Sequence, residues 1–289
     1  MTHSYCILAH KFSDSLQFTI DKLSSSNNTV VYLHIDLKSD ISSFIHLQKN
    51  NVKIIETRID IKWGDISMID ATIEILRCSR VDGYCTLLSG DDFPCKSTDE
   101  INNFLESLGG DSLMHFQDSR NSFIDPYNRF NYQYPWCFFK KNKSFIDKVF
   151  CKLYKVFPLI NNSYGKNYLI KNNIQLFKGT QWFSLSSSSV SKIIDFLDKE
   201  PNYYRSFKKT FCPDEMFFHT LVRYLSLPTY HSLSEVNDCL RYLDWESGPE
   251  YPKILGLSDI PSIKKSNCLF ARKASSNMDF SEYERMMEI

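Results

Sequence analysis

Two short acidic motifs and a set of cations at the ends of apolar runs are where this sequence could do chemistry. The first motif is Gly90-Asp91-Asp92, which ends the run Tyr84-Cys-Thr-Leu-Leu-Ser89. Ligands of open α/β sheets gather at the carboxyl ends of strands, and a glycine there permits a sharp turn or a close backbone approach. Two adjacent carboxylates at such a point suit an active-site wall or a metal. The alternative is a plain turn before a capped helix, because Ser97-Thr-Asp-Glu100 fits a capping box. The second motif is Cys212-Pro-Asp-Glu215. A carboxylate in a first helical turn faces unpaired backbone N–H groups and can project into a cleft, where it can take a proton. Glu215 also fits the acid of a capping box, although Cys212 is a poor acceptor where Ser or Thr would complete one. The cations are Arg241 in Leu-Arg-Tyr-Leu-Asp-Trp245 and Arg272-Lys273 in Leu-Phe-Ala-Arg-Lys. Each lies at the end of a short apolar run, where a charged head emerges beside a pocket or into solvent.

The elements that must hold these residues alternate between two periods. Strands are expected at Tyr5–Ala9, Val30–Ile35, Val52–Ile55, Tyr84–Leu88 and Ser112–Gln117. Between them, helical spacing covers Leu16–Leu23, a polar stretch near Ile41–Gln48, Asp65–Arg80 and Asp99–Leu108. Such alternation predicts a mostly parallel sheet with helices on both faces. Arg120–Trp136 is aromatic and polar with no clean period and reads as a long loop over the site. Further on, Ser144–Tyr154 reads as a helix and Phe183–Leu185 as a strand. Val190, Ile193, Ile194 and Leu197 predict a helix that begins in the serine run 186–189. Pro213–Leu225 reads as one helix with proline in its first turn. Short strands near Cys239–Leu243 and Cys268–Ala271 flank a basic helix at Ser258–Lys265, and the last ten residues read as a polar tail helix.

The bulk properties set limits. A chain of 289 residues buries a substantial core, and 34 basic against 34 acidic residues leave no overall field to draw it to nucleic acid or an anionic membrane. An anionic ligand must then be held by a few local cations. The first residues enter a strand-like run without a basic n-region or long apolar stretch, which predicts a cytoplasmic protein with no transmembrane segment, compatible with peripheral contact at the inner face of the membrane. Nine scattered cysteines with no Cys-x-x-Cys pair read as reduced core residues, and the seven histidines have no zinc spacing. The 22 Phe, 16 Tyr and 4 Trp suit both a large core and platforms for sugar rings.

Taken in order, these pieces resemble the core-2/I-branching β-1,6-N-acetylglucosaminyltransferase family, which also takes in peptide O-xylosyltransferases. The resemblance spans nearly the whole chain. It runs through Ile-Leu-Ala-His-Lys11, Val-Tyr-Leu-His-Ile-Asp36, Arg58, Trp63-Gly-Asp-Ile-Ser67 with Asp70-Ala71, and Leu-Leu-Ser-Gly-Asp-Asp-Phe-Pro-Cys-Lys-Ser97. It continues through Lys178-Gly-Thr-Gln-Trp-Phe183, Cys-Pro-Asp-Glu215, Leu-Arg-Tyr-Leu-Asp-Trp245, Pro252-Lys-Ile-Leu and Leu-Phe-Ala-Arg-Lys273. The short form without an anchor is similar to the bacterial branch.

The resemblance implies a single GT-A-like α/β domain over 1–289, with 1–118 as the nucleotide-binding half and 119–289 as the acceptor-side and diphosphate-binding half. It implies inverting transfer from a UDP-sugar, with N-acetylglucosamine first and xylose or glucose behind it, to an oligosaccharide or lipid-linked glycan. The expected setting is bacterial surface polysaccharide synthesis, with no cofactor and no metal. The general base of the family maps onto Glu215. Its diphosphate-binding lysine maps onto Lys273 and its arginine onto Arg241, at a longer spacing here, with Arg272 beside them.

Inversion needs one carboxylate on the face opposite the leaving group, and fixed cations can offset diphosphate charge where no matching Asp-x-Asp is present. Nucleotide and sugar contacts are expected from His10, Asp36, Arg58, Trp63, Gly90 and Asp92, and acceptor contacts from Arg129, Trp136 and Trp182. Asp36 reads equally as a turn residue closing its strand. Paired carboxylates on an aromatic α/β scaffold also suit a glycoside hydrolase, and a non-catalytic carbohydrate-binding protein is the remaining alternative.

Overall fold

Alternation along the first strands decides the architecture. In β1 (His3–Ala9), Tyr5, Ile7 and Ala9 face one core while Cys6 faces another. In β2 (Thr29–Ile35), Val31, Leu33 and Ile35 join the first and Tyr32 the second. Each fully buried aliphatic or aromatic side chain contributes about 1.5–3 kcal/mol, so a sheet apolar on both faces must be covered on both. The computed structural model describes residues 1–79, 81–120, 124–249 and 251–289.

The remaining strands are β3 (Val52–Ile54), β4 (Tyr84–Ser89), β5 (Phe93–Pro94), β6 (Leu113–Phe116), β7 (Gly179–Ser186), β8 (Arg241–Leu243) and β9 (Phe270–Arg272). A six-stranded sheet has the order β3-β2-β1-β4-β7-β6 and a three-stranded sheet the order β5-β9-β8. β1, β2, β3 and β4 are parallel, whereas β7 runs antiparallel to both β4 and β6. This is the mixed, mostly parallel α/β sheet flanked by helices that the alternation predicts. β7 brings its start to the carboxyl end of β4, where the sequence breaks at Gly90.

Several elements differ from the sequence expectation. The polar stretch after β2 forms two 3-10 turns, Ile41–Ser43 and Ile45–Leu47, the first capped by Asp40. The following helix covers Ser67–Cys78, and the expected end at Arg80 lies outside the described residues. The expected loop 120–136, apart from 121–123, which are not described, includes a short helix, Tyr127–Phe130, and leads into a 3-10 turn, Trp136–Phe139. Helices Ser163–Lys171 and Pro201–Ser206 lie where no helix was read, and β7 begins at Gly179, four residues earlier than expected. The small sheet packs over a third core that includes Phe93, Leu255, Ile263 and Tyr283, the last from the C-terminal helix Phe280–Met287. All nine cysteines are free thiols. Among the described residues no helix is long and apolar enough to cross a membrane.

Candidate active site

The segment Pro213–Leu225 is not one helix. Cys212 adopts a left-handed conformation (φ 49°), Pro213–Glu215 forms a 3-10 turn, and the α-helix begins only at Phe217. The break decides between the two readings of Glu215. A capping-box acid would accept from the Cys212 N–H, but that N–H donates instead to the Gly64 carbonyl at 2.8 Å, and Cys212 makes no side-chain cap. The turn therefore points Glu215 away from its own helix. Its Oε2 accepts from Arg129 Nη1 at 2.7 Å and lies 2.6 Å from Lys178 Nζ. Both cations meet the same oxygen, and Oε1 has no hydrogen-bond partner among the described residues. Glu215 is 29% exposed while Lys178 is 7% exposed, so the carboxylate sits at a surface opening above a buried ammonium.

Each cation is positioned by neighbouring structure. Arg129 lies on the helix Tyr127–Phe130, which is held from behind by Asn162, whose Nδ2 donates to Phe130 O at 3.0 Å and Ser206 O at 2.9 Å. Its guanidinium also lies 5.8 Å from the Phe211 ring centroid. Lys178 immediately precedes β7, whose first residue, Gly179, passes so close to the His115 carbonyl that a Cβ would lie 1.6 Å from that oxygen. Next to Glu215, Asp214 is buried with Oδ1 unpartnered; burial first and the neighbouring Glu215 charge second raise its pKa.

A second cluster occupies the end of β4. Asp92 is fully buried and pairs with Arg241, whose Nη2 also donates to Leu87 O at 3.0 Å. The other Asp92 oxygen accepts from the Ser89 hydroxyl at 2.6 Å and lies 3.5 Å from Arg272 Nη1. Arg272 also donates to the Ser89 hydroxyl. Both guanidinium groups lie against the Trp182 ring, at 4.9 Å for Arg241 and 4.8 Å for Arg272. Lys178 stands immediately before β7 and Trp182 within it, so the start of this strand links the two clusters.

The structure thus brings Glu215, Arg129 and Lys178 together, and separately Asp92, Arg241, Arg272 and Trp182. Arg241 is 3% exposed and lies beneath the cleft surface, whereas Arg272 and Lys273 are only partly buried. Trp182, expected at the acceptor, is instead the buried platform between the two arginines. Arg58 donates to the carbonyls of Ile35, Asp36 and Leu37 at 3.1, 2.7 and 3.2 Å, and also to Ser39 O, so it shapes the turn after β2.

Asp36 is buried in that turn and accepts from the Lys38 backbone N–H at 2.9 Å. His10 is exposed beside it, its carbonyl accepting from the Ser39 hydroxyl at 2.6 Å. Trp63 and Trp136 are both largely exposed, Trp63 edge-on to Phe211 at 5.6 Å and Trp136 under the Lys140 ammonium at 3.5 Å. Gly90 has no positive φ, and a Cβ there would make only ordinary contacts with Ala9. Lys178 is a functional residue that local spacing in the sequence does not single out; its place before Gly179 in the Lys-Gly-Thr-Gln-Trp motif is the available signal.

Among the described residues, one group has the spacing to hold a metal ion, namely Asp118, His231 and Asp238. Arg120 lies among them, 2.7 Å from Asp118 Oδ2 and 2.6 Å from Asp238 Oδ2. It holds the Asp118 carboxyl down at about 2. A guanidinium already neutralises both acids, so the donor set does not suit a cation.

Residues 4–264 match the Core-2/I-Branching enzyme family. Among curated proteins, the beta-1,3-galactosyl-O-glycosyl-glycoprotein beta-1,6-N-acetylglucosaminyltransferase 4 of Mus musculus is 24% identical over 96% of this chain and 62% of its own length. Its Danio rerio counterpart is 25% identical over 92% of this chain and 61% of its own length. Xylosyltransferase oxt of Drosophila melanogaster is 22% identical over 75% of this chain and 23% of its own length. The chain therefore spans about three-fifths of the first two relatives and a smaller part of the third.

Proposed function

The chain belongs to the Core-2/I-branching enzyme family, and we propose that it is a metal-independent inverting glycosyltransferase. It moves a sugar, N-acetylglucosamine before xylose or glucose, from a UDP donor to a hydroxyl of an oligosaccharide or lipid-linked glycan. The names of the relatives, N-acetylglucosaminyltransferases and a xylosyltransferase, support the donor class. The setting that suits a chain of this kind is bacterial surface polysaccharide synthesis at the cytoplasmic side of the membrane.

One observation carries the reading: Oε2 of Glu215 is fixed by Lys178 and Arg129 while Oε1, at a surface opening, has no partner among the described residues. In the proposed reaction Oε1 takes the proton of the acceptor hydroxyl as that oxygen attacks the anomeric carbon, and the C–O bond to UDP breaks on the opposite face. The two cations keep the carboxylate aimed. Arg272 and Lys273, at the mouth of the second cluster, neutralise the charge that gathers on the leaving diphosphate. Arg241 acts through Asp92 and Trp182 by holding that mouth in shape, and Asp36 takes the nucleoside.

The test is a thermal-stability screen against UDP, GDP, CMP and the three UDP-sugars, followed by UDP release with acceptor glycans in EDTA. Stabilisation by uridine nucleotides and EDTA-resistant UDP release support the proposal. Release of free sugar from an oligosaccharide without any nucleotide would make the protein a hydrolase, and loss of turnover in EDTA that Mn²⁺ restores would place a metal in the reaction.

A further inference from the structure

A surface helix normally turns its apolar side to the core. The helix Phe145–Val156 does the reverse. Only Cys151 and Tyr154 are buried, joining Cys137 and Phe138 beneath it. With about 100° per residue, Phe145, Val149 and Val156 form a stripe on the opposite side, and they are 81%, 41% and 68% exposed. Ile146, Phe150 and Leu153 widen that stripe, and Phe157, Leu159 and Ile160 extend it past the helix, all in water. Isolated exposed apolar residues are ordinary, but a contiguous patch of this extent marks an interaction surface.

Charge identifies the occupant. Residues 140–157 carry six lysines, namely 140, 141, 143, 148, 152 and 155, against the single acid Asp147, in a chain whose overall charge is zero. Asp147 is taken up by the helix cap at Ser144 and by Lys140 at 3.0 Å. On the helix, Lys148, Lys152 and Lys155 lie together along one edge of the apolar stripe. An apolar face that points outward and is bordered by lysines is the pattern of a helix lying in the interface of an anionic bilayer, with aromatic and aliphatic side chains among the acyl chains and ammonium groups at the phosphates.

We propose that the helix Phe145–Val156 and the segment 157–160 after it dock this protein on an anionic lipid bilayer. The docked face is coupled to the site. Tyr134 and Phe138, which pack against Tyr154 of the helix, also pack against Phe211, over which Arg129 lies. Docking thus holds the Glu215 site near the bilayer in which a lipid-linked acceptor would lie. That last consequence rests on the proposed transferase activity, whereas the docking itself does not.

Sedimentation with vesicles tests it, using phosphatidylcholine alone and an equal mixture of phosphatidylcholine and phosphatidylglycerol. The protein should pellet with the mixed vesicles, release in high salt, and stay in solution with the neutral ones. Phe145→Ser with Leu153→Ser should abolish pelleting. Lys148→Glu, Lys152→Glu and Lys155→Glu together should weaken it on the order of a hundredfold. All five side chains point into water, so circular dichroism and the thermal shift given by UDP should be unchanged in both variants. If the wild-type protein stays in solution with the anionic vesicles, the proposal fails. It also fails if the protein forms a dimer in solution that Phe145→Ser with Leu153→Ser dissolves, because a second copy would then cover the face. The UDP response is read separately, so failure of the docking and failure of the catalytic reading are distinguishable.

Discussion

Lys178 Nζ lies 2.6 Å from Glu215 Oε2, and this contact ties the residue just before β7 to the turn that precedes the helix Phe217–Tyr224. A nearly buried ammonium and a half-buried carboxylate are held together at the point where the chain would otherwise have built a simple helix cap. Glu215→Gln keeps the shape and both cationic neighbours but cannot take a proton. Turnover should fall by about 10²- to 10⁴-fold while the thermal shift given by UDP is retained. A Gln variant that kept most of its turnover would remove Glu215 from the role of base.

The same contact makes Lys178 a positioning residue. Lys178→Met removes one of the two cations at Oε2 and leaves Arg129 alone to aim the carboxylate. Two opposite charges this close attract by about 1–4 kcal/mol between water and a protein surface, so kcat should fall roughly ten- to a hundredfold, with KM for the donor nearly unchanged. Lys178→Arg should restore part of the loss, which a merely structural defect would not allow. Initial rates at varied UDP-sugar give the split.

The two cation positions at the other cluster should behave differently. Asp92 and Arg241 form a buried pair, and removing one partner of such a pair costs about 3–5 kcal/mol because the other charge stays behind without compensation. Arg241→Met should lower stability by about that amount in urea denaturation. Lys273, partly buried and without a carboxylate partner among the described residues, should do the opposite. Lys273→Ala should weaken UDP binding while the denaturation midpoint stays put. Equal stability losses in the two variants would contradict the separation of the buried arginine from the cleft mouth.

The sequence told more about which residues matter than about how they meet. The strands β1, β2 and β4 were legible because both of their faces are buried, so each reads as a short, nearly continuous apolar run. The β5-β9-β8 sheet was only half legible, since strands of two or three residues carry too little pattern. Glu215 could be read as a cap or as a base, and only the Cys212–Gly64 backbone bond and the pairing with Arg129 and Lys178 separate the two. Those partners come from distant parts of the chain, so no local spacing encodes them. Arg241 was legible as a cation at the end of an apolar run, but its burial beneath Trp182 depends on the crossing of β4, β7 and β8.

Gly179 should be the least tolerant glycine near the site. A Cβ there would lie 1.6 Å from the His115 carbonyl oxygen and 2.5 Å from His219 Nε2. β6 and β7 pair at this point, with a register shift between Met114 and Phe116. Gly179→Ala must therefore separate the two strands and displace Lys178 with them. The expected result is loss of soluble protein or a sharply lowered Tm. Gly90→Ala, whose Cβ would make only ordinary contacts, should fold normally and serves as the control.

Asp214 gives the site a pH dependence of known sign. Burial, aided by the Glu215 charge, raises its pKa from the ordinary carboxylate value to about 7. Between these values the folded protein holds a proton that the unfolded chain has lost. The stabilisation from this group is therefore fully present below the ordinary carboxylate range and disappears as pH rises through about 7. The slope is at most about 1.4 kcal/mol per pH unit for one proton. Asp214→Asn mimics the protonated side chain, so it should flatten this component: near wild-type stability at pH about 4 and greater stability than wild type at pH about 8. Urea midpoints for both proteins across that range read the difference directly. A variant whose pH profile ran parallel to that of the wild type would show that Asp214 is ionised throughout.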